Sequence, residues 1–397
     1  MKKYTLIGII VLVAGLIYTV TFFTHQKKET LISYNRDIRP VLSDKCFACH
    51  GPDVSKVKAG LRLDLPSSAF AELEKNKGHF AIVPGNPDKS ELIKRVSSND
   101  PAIMMPIPES HLARLTTDEI KLFKKWIEQG AKYEKHWAFV APVKAPLPEV
   151  SNSKWVKNEI DPFILEKMEA KGFSPNESAS KEVLIKRAFV DITGLAPSYA
   201  QLEQWRNNNN DNWYSQLLDN LLQKPAYGEK MALLWMDLAR YADSYGFQDD
   251  NIRSQWPWRD WVINAFNSNM HYDQFLTQQI AGDLLPNANK STILATAFFR
   301  NHKYTEEGGV IDEEYRVSYN IDKTRTYGKA ILGVTIECAQ CHDHKYDPFS
   351  NKDYYQLYAF FNMSKEKGYE GDVSVSTPAK NRSEEHTSEL QSPMYLV

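Results

Sequence analysis

One pentapeptide pattern occurs twice and constrains this chain more than any other feature: Cys46-Phe47-Ala48-Cys49-His50 and Cys338-Ala339-Gln340-Cys341-His342. Together the two copies use all four cysteines. C-x-x-C followed directly by His is the attachment pattern of a covalent c-type haem. The two thiols add to the vinyl groups, and the adjacent imidazole supplies an iron ligand. Zinc half-sites and dithiol redox pairs share the C-x-x-C spacing, but neither explains a His after each pair. A disulfide inside so short a loop would add little stability. The expected cofactor is therefore haem c, one at each motif. Cys46, Cys49, Cys338 and Cys341 are the attachment residues, and His50 and His342 are metal ligands.

Residues 1–28 read as a membrane anchor or signal segment. Met1-Lys2-Lys3 precedes an uncharged apolar run from Tyr4 to Phe23, and about 20 such residues can cross a hydrocarbon core of roughly 30 Å. Lys27 and Lys28 follow, so charge alone does not orient it. No small-residue cleavage pattern lies near Thr21-Phe22-Phe23-Thr24, which favours an uncleaved anchor over a removed signal. Haem attachment to this motif takes place outside the cytoplasm. The expected location is the inner membrane, with a single N-terminal anchor and the bulk of the chain periplasmic. At the other end, residues 383–397 (SEEHTSELQSPMYLV) resemble a translated adapter fragment; they are read as a non-native tail, with the native chain expected to continue past about residue 381.

The remainder is long enough for two or three domains. The formal net charge of −2 gives no reason to expect nucleic acid as a partner. Residues 31–133 form the first expected domain. Ile32, Ile38 and Leu42 would face one side of a short helix leading into Cys46, with Pro40 starting or kinking it. Gly51 to Pro108 reads mostly as loop. A closing helix then begins at Thr116 with Glu119 as capping box, buries Phe123 and Ile127 beside Trp126, and stops at Gly130. Residues 134–154 read as a linker carrying Pro142, Pro146 and Pro148. Residues 155–365 repeat apolar residues at helical spacing, as in Leu184, Ala188 and Ile192 or in Tyr227 to Tyr241. The fold class expected is all-α: an anchor, a small class I cytochrome c-like domain, and a larger helical domain.

A second axial ligand for the first haem is expected on the loop before the closing helix. Ile103-Met104-Met105-Pro106 offers two thioethers, soft ligands that raise a haem potential. Met105 is preferred because the following proline favours an extended backbone. His79 and His111 are the alternatives, and core packing of both methionines is the plain reading. With both axial positions filled, the chemistry is electron transfer.

These residues carry a resemblance. Cys46 through Pro52, the Met105-Pro106 step and Leu115 through Ala131 resemble the planctomycete-type cytochrome c domain. The later chain is similar to the domain of unknown function found beside it. The shared stretches include Asp161-Pro162-Phe163-Ile164, Asp191 to Pro197, Asp237 to Asp243, Trp258 to Val262, Ala281 to Pro286 and Cys338 to Pro348. The resemblance implies haem binding and electron transfer, and a further C-terminal domain in similar proteins. It names no substrate; oxidation of carbohydrate is an association only.

For the far face of a second haem, His302 is the first choice, ahead of His344 and His271; His344 lies too close to His342 to reach across the ring. Asp237, Arg240 and Asp243, at i, i+3 and i+6, are expected to pair on one helix. Glu306, Glu307, Asp312, Glu313 and Glu314 read as a solvated face, or as a carboxylate pair for acid–base work. The expected function is a membrane-anchored, dihaem periplasmic cytochrome serving a periplasmic redox partner protein. The alternatives are a haem-dependent oxidoreductase acting on carbohydrate or peroxide, and a glycan- or protein-binding helical domain with a single haem.

Overall fold

The computed structural model describes residues 31–364 and 366–369. The expected anchor at 1–28 and the tail at 383–397 lie outside them. Among the described residues no helix is long and apolar enough to cross a membrane. The chain divides into two compact units. One contains the residues up to Pro142 together with His342–Ser350; the other contains Val143–Cys341 and the residues from Asn351 on.

In the first unit a π-helical turn, Tyr34–Ile38, runs into the helix Arg39–Lys45, with Pro40 in its first turn where no amide hydrogen bond is lost. Ile38 and Leu42 are fully buried, and Ile32 packs beside them. The closing helix spans Thr117–Glu128. Thr116 Oγ1 accepts from the Glu119 amide at 3.2 Å, and Glu119 returns a carboxylate oxygen to the Thr116 amide at 2.6 Å. Phe123, Trp126 and Ile127 form its buried face. Tyr34, Trp126 and Tyr133 cluster with ring centroids 4.5–5.9 Å apart, fastening the first turn to the last helix. The Tyr133 hydroxyl donates to the Leu63 carbonyl at 3.0 Å.

The all-α expectation needs one correction. Within the stretch read as loop, Glu72–Leu73 and Asn76–Phe80 form a small antiparallel hairpin. Its strands are short and largely solvated, so no apolar alternation announces them. Gly78 supplies a positive φ of 80°, and its amide donates to Glu72 Oε1 at 2.5 Å.

The regular elements in the described part of the second unit are helices, apart from isolated bridges. The helices Lys181–Thr193, Tyr199–Arg206 and Trp213–Leu222 enclose one apolar cluster around Ile185, Leu217 and Leu221. Pro225–Ala239 and Trp256–Asn267 pack a second one with Tyr272–Ala281 and Lys290–Ala295. Gly228 lets the first two of these helices approach: a Cβ there would lie 2.5 Å from Asn267 and from the Ile263 carbonyl. Asp312–Thr326 continues as a π-helical stretch, Tyr327–Leu332, before the second cysteine motif.

Candidate functional site: a thiol-lined cavity with a histidine and a methionine

The first motif is held by main-chain geometry. Cys46 ends the helix Arg39–Lys45, and Phe47–His50 adds one helical turn in which the His50 amide donates to the Cys46 carbonyl at 2.9 Å. Both cysteines and His50 thereby stand on one short spiral. Phe47 turns inward and is buried. Gly51 follows because nothing larger fits: a Cβ there would lie 2.5 Å from the Phe47 Cβ and carbonyl oxygen. Lys45, buried beside the motif, reaches Glu119 at 2.7 Å and so ties the motif to the capping box of the closing helix. Burial alone would raise the Glu119 carboxyl, but Lys45 and Thr116 hold it below its ordinary value.

Cys46, Cys49, His50 and Met105 line one cavity of about 190 Å³. Leu61, Leu63, Ala81 and Leu92 give it apolar walls, while Lys45, Lys58 and Arg95 add cations. Burial pushes the Cys46 thiol up to about 12. His50 Nδ1 lies 3.1 Å from the Leu61 carbonyl oxygen. A carbonyl can only accept, so Nδ1 carries the proton and Nε2 is left as a ligating lone pair. Burial, with Arg95 adding to it and Leu61 opposing, lowers the His50 pKa and favours the neutral ring that ligation requires.

The two methionines separate. Met105 lines the cavity; Met104 is buried away from its wall. The Met105–Pro106 peptide is cis. The histidine alternatives do not line the cavity: His79 pairs with Glu91 at 2.9 Å, and His111 caps a short turn at φ 56°. The residues present fit a haem c: two thiols, a neutral imidazole with a free Nε2 and a thioether open onto one apolar space.

The second motif is differently placed. Cys338 lies in a 3₁₀ turn, Glu337–Gln340, and both Cys338 and Cys341 are solvent-exposed. His342 Nδ1 lies 2.7 Å from the Asp343 carbonyl, again leaving Nε2 uncommitted. The residues after it are firmly held within the first unit. Asp347 Oδ1 lies 3.1 Å from both Arg39 Nη2 and His136 Nε2, and buried His344 accepts from the Asp347 amide at 2.9 Å.

His302, expected opposite the second haem, is 1% exposed. Its Nδ1 donates to the Lys303 carbonyl at 2.8 Å and its Nε2 lies 3.0 Å from Glu366 Oε1. Burial, with Lys323 and Arg300 adding to it, keeps the ring well below its ordinary pKa. The atom an iron would need is therefore covered by a carboxylate. The cavity that His302 does line has neither Cys338 nor Cys341 in its wall. Glu366 is itself contacted by Arg300, Lys323 and Tyr304, a buried ionic cluster that the sequence did not announce because its members span some sixty residues.

The expected Asp237–Arg240–Asp243 cluster does not form. The helix ends at Ala239, and Arg240 turns left-handed at φ 60° and pairs with Asp322 at 2.9 Å. Asp243 instead accepts from the Tyr241 hydroxyl at 2.5 Å. Among the acidic residues downstream, Glu313 pairs with Arg316 at 2.7 Å and Glu307 accepts from the Gln248 amide at 2.7 Å.

A helix-bounded, apolar cavity carrying C-x-x-C-H and a methionine defines a c-type cytochrome. Comparison with known families agrees: residues 46–109 match the family described as planctomycete cytochrome C, which implies haem c. Residues 159–366, more than half of the chain, match the family described as a protein of unknown function (DUF1549), and the chain belongs to that family. No curated protein and no solved structure matches the chain.

Proposed function

We propose that the protein is a membrane-anchored, periplasmic cytochrome c with two haems that passes electrons between a periplasmic donor and an acceptor protein. The observation that carries the electron-transfer reading is the opening of Cys46, Cys49, His50 and Met105 onto one cavity. When bound, the haem supplies a one-electron couple at its iron. The chain's own residues do the rest. The thiols would fix the group, Leu61 holds the His50 proton on Nδ1, and Met105 would offer a thioether, a ligand type that raises the potential. Apolar walls exclude water and lower the local dielectric. The uncharged run from Tyr4 to Phe23 supports the anchor. Attachment outside the cytoplasm supports the periplasmic location.

The test is the intact mass of full-length protein matured in a periplasm. Two haem adducts are expected. A single adduct, lost in Cys46→Ser/Cys49→Ser, would overturn the dihaem reading, and no adduct would overturn the whole proposal.

A second reading, a haem-dependent oxidoreductase acting on carbohydrate or peroxide, draws on the engagement of both ring nitrogens of His302. A haem on Cys338 and Cys341 without that ligand would keep an open face. High-spin iron assigned to the second site supports this reading; two low-spin sites count against it.

A further inference from the structure

The second unit contains a cavity of about 440 Å³ whose wall has an excess of fixed positive charge. Arg240, Arg253, Lys303 and Arg325 line it, and Asp322 is the one carboxylate in the wall. Asp322 pairs with Arg240 at 2.9 Å, so three cations are left without an acidic partner in the wall. The carboxylates near it are engaged elsewhere by contact: Asp250 Oδ1 accepts from the Gly246 amide at 2.6 Å and reaches Arg253 and Lys303 only through space, and Asp243 accepts from Tyr241.

Arg253 makes the imbalance sharpest. It is 7% exposed, and its guanidinium donates only to main-chain carbonyls, those of Ala242, Arg300, Asn301 and His302, at 2.7–3.4 Å. Carbonyl dipoles satisfy its hydrogens, and among the described residues no carboxylate touches it, which is costly in a buried setting. Burial and the neighbouring Arg300 lower its pKa to about 10. Polar atoms in the wall are also left over: Arg240 Nε, Arg325 Nε and Asn301 Oδ1 are buried with no hydrogen-bond partner among the described residues. Asn301 is only 2% exposed.

A third observation is independent of charge. Arg240 sits at φ 60°, ψ 33°, directly after the helix Pro225–Ala239, in the left-handed position where glycine is the usual residue. A large side chain there costs of order 1 kcal/mol or more, and such strain concentrates at ligand sites. The strained turn delivers the Arg240 guanidinium to the cavity.

We propose that this cavity binds an oxyanion, a carboxylate, sulfate or phosphate on a small organic molecule, between Arg240, Arg325 and Lys303, with Arg253 behind it supplying field. Asn301 Oδ1 would accept from a hydroxyl of the same ligand. The oxyanion has two sources, a free small molecule or a propionate of a haem carried by the second motif. The second source arises because Arg325 Nη2 also donates to Gln340 Oε1, inside that motif, at 2.6 Å.

The experiment is calorimetric titration of the full-length, haem-matured protein with glucuronate and with inorganic phosphate. Glucose and sodium chloride at matched ionic strength are the controls. Saturable binding of at least one anion is expected, about tenfold or more tighter than glucose, which corresponds to roughly 1.4 kcal/mol. Arg240→Gly relieves the left-handed backbone, so its melting temperature should hold while anion affinity falls about tenfold. Lys303→Gln, at an exposed position, should weaken binding without unfolding the chain. The double variant Cys338→Ser/Cys341→Ser separates the sources. Unchanged anion binding identifies a free ligand, and binding that appears only in the double variant identifies a haem propionate. No saturable binding in either form, or wild-type binding in both Arg240→Gly and Lys303→Gln, overturns the proposal.

Discussion

The Nδ1 nitrogen of His50 faces the carbonyl oxygen of Leu61 across 3.1 Å. Because that oxygen belongs to the main chain, the loop after the motif, rather than another side chain, fixes the imidazole tautomer. The loop is itself anchored to the motif: the Lys58 amide donates to the Cys49 carbonyl at 2.9 Å, and the Leu63 amide to the His50 carbonyl at 2.8 Å. His50→Ala should therefore leave the thiols able to attach haem while removing the ligand they bring into line. The expected outcome is a retained first haem mass with loss of its low-spin electron paramagnetic resonance signal. An unchanged low-spin spectrum would reassign the ligand.

Met104 and Met105 are adjacent in sequence but divide their roles. Met105 lines the thiol cavity and Met104 does not. Met105→Ala is expected to convert the first iron to high spin and lower its potential, since a thioether ligand raises it. Met104→Ala should leave spectrum and potential in place and cost about 2–5 kcal/mol of stability, as buried methionine truncations do. Optical spectra, redox titration and denaturant midpoints of the two variants distinguish these outcomes.

What the sequence made legible was local. The capping box of Thr116 and Glu119, the buried Ile38 and Leu42, and the run from Tyr227 to Tyr241 each declare themselves within one helical window. The thiol and imidazole of the first site are consecutive residues, and Met105 was marked by the proline after it. What stayed hidden depends on chain reversal. Arg240 reads as one more helical position until the helix stops one residue earlier and turns it to Asp322. His302 reads as a ligand for the far face of a second haem until Glu366 arrives from 64 residues away. Asp347, part of the stretch that carries the resemblance after the second motif, meets Arg39 across 308 positions of chain. No window of local pattern contains both members of such pairs.

Acid should act on the first unit through Glu91. Its side chain is 7% exposed, and its carboxylate lies 2.9 Å from His79, 3.2 Å from Lys94 and 3.5 Å from Arg95. Burial alone would raise this carboxyl, but Lys94, Arg95 and His79 outweigh it and hold the pKa below the ordinary 4.5. A carboxyl depressed in the folded state contributes stability that is present above 4.5 and lost as pH falls through the folded value. Denaturant midpoints measured from pH 6 downward should therefore fall for the wild type below about 4.5 and fall less steeply for Glu91→Gln. Parallel pH profiles would show that Glu91 is not one of the groups responsible.

Glu366 offers the sharpest test of the second unit's interior. Its carboxylate meets the Arg300 guanidinium, the Lys323 ammonium and the Tyr304 hydroxyl, and faces His302 Nε2 at 3.0 Å, all in buried surroundings. Burial pushes its carboxyl up to about 7, with Arg300 opposing. Glu366→Ala removes an acid that meets two buried cations, and breaking a buried pair in this way costs about 3–5 kcal/mol. Glu366→Gln keeps the shape and an acceptor oxygen while losing the charge, so its cost should be smaller but in the same direction. Because His302 Nε2 is covered by this carboxylate, Glu366→Ala should also free that nitrogen. If the second iron then acquires a low-spin histidine signature that wild type lacks, His302 lies within reach of it. If the fold weakens by the expected amount and the iron spectrum does not move, His302 belongs to the ionic core alone.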